Sequence, residues 1–394
     1  MNQFIRRVYR GVRYRLHILS ENCRYCLAYP FALLLKKKRK NIHLFSERGI
    51  DARDNGYYMF RYFRTYHPEV DACYVIDKKS ADAPKVQELG TVIPYRSWRH
   101  YLFFIAAEYK ISTHIMGYSP DFPFYMDFNA KHRVPGKQIF LQHGVIQNDH
   151  PVLYAQQTKA DLFICGAEPE YEYVSSQFQY QNGEVRYTGL ARHDGLQQFQ
   201  TKRQILFMPT WRFYLSSVSD EEFLNSDYYR SWNGLLQNKT LLNELQRQNV
   251  QLVFYPHFEL QKFLHLFHTD DPHITLADFS HYDVQTLLKE SALLVTDYSS
   301  VFFDFAYMKK PVLYYQFDET RFHREQYGKG YFDYRTMGFG QVAVTEQQAV
   351  SGIVNSMEQD FALSTVYQDR ISQFFPLHDA KNCERIFSAI EGLK

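Results

Sequence analysis

From Asn41 onward, short apolar runs rich in β-branched and aromatic residues alternate with helical stretches, and this alternation restricts the fold more than any other feature of the chain. A first series of runs falls at 42–45, 73–76, 91–94, 109–112, 138–142, 162–165 and 185–188. A second falls at 205–208, 252–255, 274–276, 293–296 and 312–315. Runs that are apolar throughout suit strands covered on both faces by helices. The chain has 394 residues, more than one hydrophobic core usually organises, and the polar stretch 197–203 separates the two series. The pattern predicts an α/β protein with two Rossmann-like doubly wound domains facing a cleft, over 41–200 and 201–394, behind a basic segment over 1–40.

The formal net charge is only +2, so no whole-molecule field points to nucleic acid as a partner. Basicity is concentrated at the N-terminus, where residues 1–40 carry eleven Lys/Arg against the single acid Glu21. Ile5, Val8, Tyr9, Val12, Leu16 and Leu19 recur at helical spacing, with Arg6, Arg10 and Arg13 on the opposite face. Such a helix suits an anionic membrane surface, at about 1 kcal/mol per basic residue. The apolar run 25–35 is too short to span a bilayer. It is followed by Lys36, Lys37, Lys38, Arg39 and Lys40 in place of a small-residue cleavage site, which argues against a signal peptide. The alternative is a helix packed on the protein's own core with a solvated basic face. Five scattered cysteines do not form a secreted disulfide framework, so a reducing cytoplasm fits best. Cys23 and Cys26 lack a second pair or neighbouring histidines, and no metal site is expected.

In doubly wound sheets, ligands bind beyond the carboxyl ends of the strands. After the run 293–296 the chain reads Asp297-Tyr-Ser-Ser300 and enters a helix. Ser299 and Ser300 there, together with unpaired N–H groups and the positive end of the helix dipole, can hold a phosphate without a metal; each of Asp297, Ser299 and Ser300 can equally be a simple cap. Asp304 lies one turn on, either supporting that site or solvated. His143, at a strand end before Gly144, sits where a general base would, and His257 is its counterpart in the second domain. Either histidine can also be structural. Thr210 and Arg212 follow the run 205–208, and Arg212 can clamp phosphate oxygens or pair with an acid. Arg192, His193 and Asp194 stand near the domain junction, as hinge or ligands. No nucleotide P-loop, zincin, serine-hydrolase or dinucleotide motif occurs, and no cofactor is called for.

Taken together, His143-Gly144, Gly189-Leu-Ala-Arg-His-Asp194, Pro209-Thr-Trp-Arg212, Pro256-His257, Thr296-Asp-Tyr-Ser-Ser300 with Phe303-Asp304, and Gly328-Lys-Gly-Tyr-Phe-Asp333 resemble the CDP-glycerol glycerophosphotransferase family of teichoic-acid and capsule-polymer synthesis. The resemblance covers about residues 41–340. It implies a GT-B architecture on the cytoplasmic membrane face, peripheral and monotopic, with the acceptor in the first domain and CDP-glycerol in the second. By the same resemblance, His143 is the base that deprotonates a hydroxyl of a lipid-linked saccharide or polymer, and His257 a donor-phosphate contact or acid. Ser299, Ser300 and Arg212 hold the diphosphate, with Thr210, Asp297 and Lys329 beside them and CMP as the leaving group. Gly144, Arg192, Asp194 and Asp304 would support the site or the acceptor. Ala191, His193 and Lys329 depart from the family pattern, which leaves CDP-ribitol or another CDP-polyol open as donor. A GT-B nucleotide-sugar glycosyltransferase and a non-catalytic polymer-binding scaffold are the competing readings.

Overall fold

The computed structural model describes residues 3–132 and 134–393. Seven parallel strands form the first sheet: β1 (His43–Ser46), β2 (Ala72–Ile76), β3 (Thr91–Pro94), β4 (Tyr109–Ser112), β5 (Lys137–Phe140), β6 (Leu162–Cys165) and β7 (Val185–Tyr187). Their order is β3-β2-β1-β4-β5-β6-β7. The second sheet holds β8 (Gln204–Phe207), β9 (Gln251–Phe254), β10 (Ile274–Leu276), β11 (Leu293–Thr296), β12 (Val312–Tyr315) and β13 (Gly340–Ala343), also parallel, in the order β10-β9-β8-β11-β12-β13. In each sheet the winding reverses once, between β1 and β4 and between β8 and β11, and the loops that leave those strands diverge to open a crevice. The strands are short and nearly all of their side chains are buried, because helices cover both faces of each sheet. β13 has no counterpart among the apolar runs of the sequence. It is an edge strand that opens on a glycine and leaves Gln341 exposed, so its apolar signal is diluted.

The N-terminal segment is one helix, Gln3–Lys38, in which Pro30 is accommodated. Ile18, Tyr25, Ala28 and Ala32, at helical spacing, bury against Leu44, Val75, Phe104 and Phe124 of the first domain. Between Ile18 and Ala32 this helix is therefore built into that domain's core. Glu21 is buried and accepts from the Tyr101 hydroxyl and from Arg24, at 2.9 Å. A second apolar stripe faces outward: Leu16, Leu19, Leu27, Phe31 and Leu34 are each more than half exposed. Arg13, Lys36, Lys37 and Lys38 are exposed too, whereas the side chains of Arg6 and Arg10 lie outside the described residues. Among the described residues, no helix is long and apolar enough to cross a membrane.

The assignment of all of 201–394 to the second domain needs correction. The terminal helix Asn382–Glu391 crosses back and packs Cys383, Ile386 and Ile390 against Met59, Phe60 and Ile164 of the first domain. Phe387 stacks on His67 with ring centroids 3.6 Å apart. Asp194 holds the start of this helix, its carboxylate accepting from the Asn382 and Cys383 amides at 2.9 and 2.8 Å. That fixes Asp194 as a helix cap and removes it from the set of ligand candidates.

Candidate active site

The two crevices face one another, and their walls come from strand-end loops. In the first domain the loops after β1 and β4 interlock. The Ser112 hydroxyl donates to the Glu47 carbonyl (3.3 Å), and a Cβ at Gly117 would lie 1.7 Å from that same oxygen, so only glycine fits there. Glu47 in turn accepts from the amides of Arg53, Asp54 and Tyr57, each at 2.9 Å, which fixes the start of the helix Asn55–Tyr66. The loop after β5 carries His143. Gln142 just before it holds a left-handed φ of 60°, a conformation that costs a non-glycine residue of order 1 kcal/mol. The surroundings hold it there: Asn55 donates to the Gln142 carbonyl (2.7 Å), and the Gln142 amide donates to the Ile164 carbonyl (2.6 Å) and Glu170 (3.1 Å).

His143 is exposed at the cleft, between the buried Gln142 and Gly144. His114, from the loop after β4, stacks on the His143 ring with centroids 5.0 Å apart and planes within 10°. Enclosure pushes the His143 pKa below 6.5; Asp54 opposes this and Arg192 adds to it. At neutral pH the imidazole is therefore a free base, the form a general base needs. His257 lies across the cleft, stacked on Trp211 at 5.9 Å, and is pushed down to about 4 by burial, then by Arg48 and His143. A neutral His257 cannot donate a proton as an acid on its own. In this state its ring can make a neutral hydrogen-bonding contact, and a bound anion would raise it toward the charged form.

The second domain corrects one assignment outright. Arg212 is fully buried, donates to Asp318 (2.8 and 2.9 Å) and Asp297 (2.9 Å), and lies among the rings of Tyr228, Tyr298, Phe317 and Phe322. Burial opposes its charge, but Asp297 and Asp318 keep it ionised. Arg212 is thus a core ion pair beneath the site, with its donors already engaged, and does not clamp a phosphate. Asp297 is also fully buried and accepts from the Thr210 and Tyr298 amides at 2.8 and 2.6 Å. It shapes the turn from beneath. The Thr210 hydroxyl is buried without a hydrogen-bond partner. Ser299 and Ser300 are half-buried; Ser300 stands at the N-cap of the helix Val301–Tyr307 but makes no side-chain cap bond, which leaves its hydroxyl available.

The domains meet at His143-Gly144 and the serine turn. A Cβ on Gly144 would lie 2.9 Å from the Ser300 hydroxyl oxygen, so glycine permits the approach of the two motifs. Beside them Arg192 donates to Asp304 (2.8 and 2.9 Å), to Asp54 (2.6 Å) and to the His143 carbonyl (3.0 Å). His193 Nε2 lies 3.1 Å from Asp304. Burial would raise the Asp304 pKa, but Arg192 and His193 hold it well below the carboxylate range. Asp304 is a buried interdomain anchor, not a solvated acid. The loop after Tyr327 closes the far side, where Gly330 abuts Gln147 and Asn148, while Tyr334 donates to Gln147 (2.7 Å). Lys329 on that loop is exposed.

Several residues of this cleft escaped the motif reading: Arg48, Asp54, His114 and His150. Arg48 and His114 each lie two residues past a strand end, at the reversal between β1 and β4, so the strand-end rule could have found them.

The family model for CDP-glycerol:poly(glycerophosphate) glycerophosphotransferase matches residues 27–392. The chain belongs to that family. Over 363 residues, 89% of its length, this family member is 31% identical to the minor teichoic acid biosynthesis protein GgaB of Bacillus subtilis (strain 168), covering 40% of that protein. It is 28% identical over 193 residues to the teichoic acid poly(glycerol phosphate) polymerase of Bacillus spizizenii (strain ATCC 23059 / NRRL B-14472 / W23), covering 48% of the chain and 45% of the relative. The chain thus spans less than half the length of these curated relatives. In fold the glycerophosphotransferase-family chain is similar to the wall teichoic acid polymerase TagF, with TM-score 0.70, 17% identity, and coverage of 99% of this chain and 98% of that one.

Proposed function

We propose that the protein transfers glycerol phosphate from CDP-glycerol to a hydroxyl of a lipid-linked saccharide or growing polymer, releasing CMP, in teichoic acid or capsule polymer synthesis. The observation that carries this reading is the meeting of a neutral His143, stacked on His114, with the Ser299-Ser300 turn at Gly144. His143 takes the acceptor proton as the oxygen attacks the glycerol-bearing phosphorus. The bond from that phosphorus to the CMP oxygen breaks, and the serine hydroxyls with Lys329 contact the diphosphate. CMP leaves as a phosphate monoester and needs no protonation to depart, in keeping with a neutral His257. Acceptor-dependent CMP release should occur with CDP-glycerol and be at least tenfold slower with CDP-ribitol. Release from CDP-ribitol alone would keep the mechanism and overturn the donor, and UDP or GDP release from sugar nucleotides would overturn the class.

The same proposal places the protein on the cytoplasmic face of the membrane as a peripheral protein. The support is the outward stripe of Leu16, Leu19, Leu27, Phe31 and Leu34 beside Lys36, Lys37 and Lys38. In a flotation assay the protein should rise with vesicles containing anionic lipid, and Leu27→Glu with Phe31→Glu should leave it at the bottom of the gradient. The double variant floating as well as wild type would sink this placement.

A further inference from the structure

With Arg212 confined to the core, the cleft needs another cation. We propose that the Arg48 guanidinium, from the first domain, binds the diphosphate of the donor across the cleft; this assignment rests on the CDP-donor reading above. Four arginines deserve comparison. Arg212 is engaged by Asp297 and Asp318, and Arg192 by Asp304 and Asp54. Arg53 pairs with Asp82 (2.8 Å) and approaches Asp283 (3.8 Å). Arg48 meets a single carboxylate, Asp51, through Nε (3.0 Å) and Nη2, and its Nη1 makes no hydrogen bond among the described residues. Its side chain is 48% exposed.

Position supports the assignment. Arg48 lies two residues beyond β1, at the reversal in the strand order, and its guanidinium carbon sits 6.0 Å from the ring centre of Phe258 in the second domain, next to His257. It therefore reaches from one wall of the cleft to the other. Its charge helps, after burial, to lower the pKa values of His114, His143 and His257. The platform beneath it is rigid: Glu47 is tied down by three amides, and Gly49, at φ 78°, lies under the Tyr95 ring where a Cβ would come within 2.5 Å. A fixed guanidinium fork with an open edge suits phosphate oxygens geometrically, and in phosphoryl transfer the transferred group's charge rests on its non-bridging oxygens. Arg48 gives up no proton. The acceptor proton goes to His143, the new oxygen–phosphorus bond forms, and the bond to CMP breaks while Arg48 stays bound to the charge.

The test uses the full chain and CDP, which carries the diphosphate of any CDP-polyol donor. Arg48→Gln should weaken CDP binding by calorimetry at least tenfold, leave cytidine binding unchanged, and lower kcat/KM for CMP release about 10²–10³-fold, as loss of one preorganised donor does. Arg48→Lys should recover part of the loss by keeping the charge. Asp51→Asn, which loosens the fork without removing it, should lose less than Arg48→Gln, with melting temperatures of all three within a few degrees of wild type. Equal CDP affinity in wild type and Arg48→Gln would overturn the assignment while leaving the transferase reading intact. A loss in Asp51→Asn equal to that in Arg48→Gln, with a matching fall in melting temperature, would also overturn it by showing a structural role. Wild type that binds no CDP would overturn both.

Discussion

His143→Ala should lower the turnover number for acceptor-dependent CMP release by about 10²–10⁴-fold, the range that general-base removal costs, with the donor KM changed less than threefold. The expectation follows from geometry. The ring is stacked on His114, and the strained Gln142 precedes it where Gly144 approaches Ser300, so the base is positioned before substrate arrives. The variant removes a cleft side chain and no core packing, so its melting temperature should stay close to wild type. The pH profile gives a second readout. The active form is the neutral imidazole; its pKa is lowered from 6.5, so kcat/KM should be near its plateau at pH 7 and fall as pH drops through that lowered pKa and protonates the ring. His143→Ala should lose that acid limb. A variant within tenfold of wild type, or one that keeps the same limb, would remove His143 from the base role.

Asp304→Ala should destabilise the protein by about 3–5 kcal/mol, the cost of leaving a buried charge without its partner. For domains of this size that is a melting temperature lower by roughly 10 °C. Arg192 would keep Asp54, which is partly solvated, and the His143 carbonyl, while its guanidinium remains buried. Asp304's pKa is held below its ordinary value of 3.8, so its stabilisation is fully present above that value and is lost as pH falls below it. The gap in melting temperature between wild type and variant should therefore be full at pH 7 and narrow below about pH 4. The double variant Arg192→Leu with Asp304→Leu separates stability from function. Replacing both charges with apolar side chains should restore most of the melting temperature. Activity should stay low, because Arg192 also holds the His143 carbonyl at 3.0 Å. Full activity in the double variant would show that the ion pair only stabilises. An Asp304→Ala melting temperature within 2 °C of wild type would show that it does not even do that.

The architecture was written in local patterns. Among the described residues, twelve of the thirteen strands coincide with apolar runs, because a strand buried on both faces announces itself by composition alone, and the edge strand Gly340–Ala343 does not. The strand-end positions of His143, His257 and the serine turn were equally legible, since each is fixed by a run immediately before it. What the sequence could not determine is which charged side chains face the cleft and which face each other. Arg212 and Arg48 both follow strands, yet one is sealed between Asp297 and Asp318, 85 and 106 residues away, and the other is left with an open edge. Arg192 finds Asp304 across 112 residues, and Asp194 caps a helix 188 residues later. Periodicity reports how a residue sits relative to its neighbours in the chain. The partner of a buried charge is set by where two separately wound sheets come together, and only the tertiary structure holds that information.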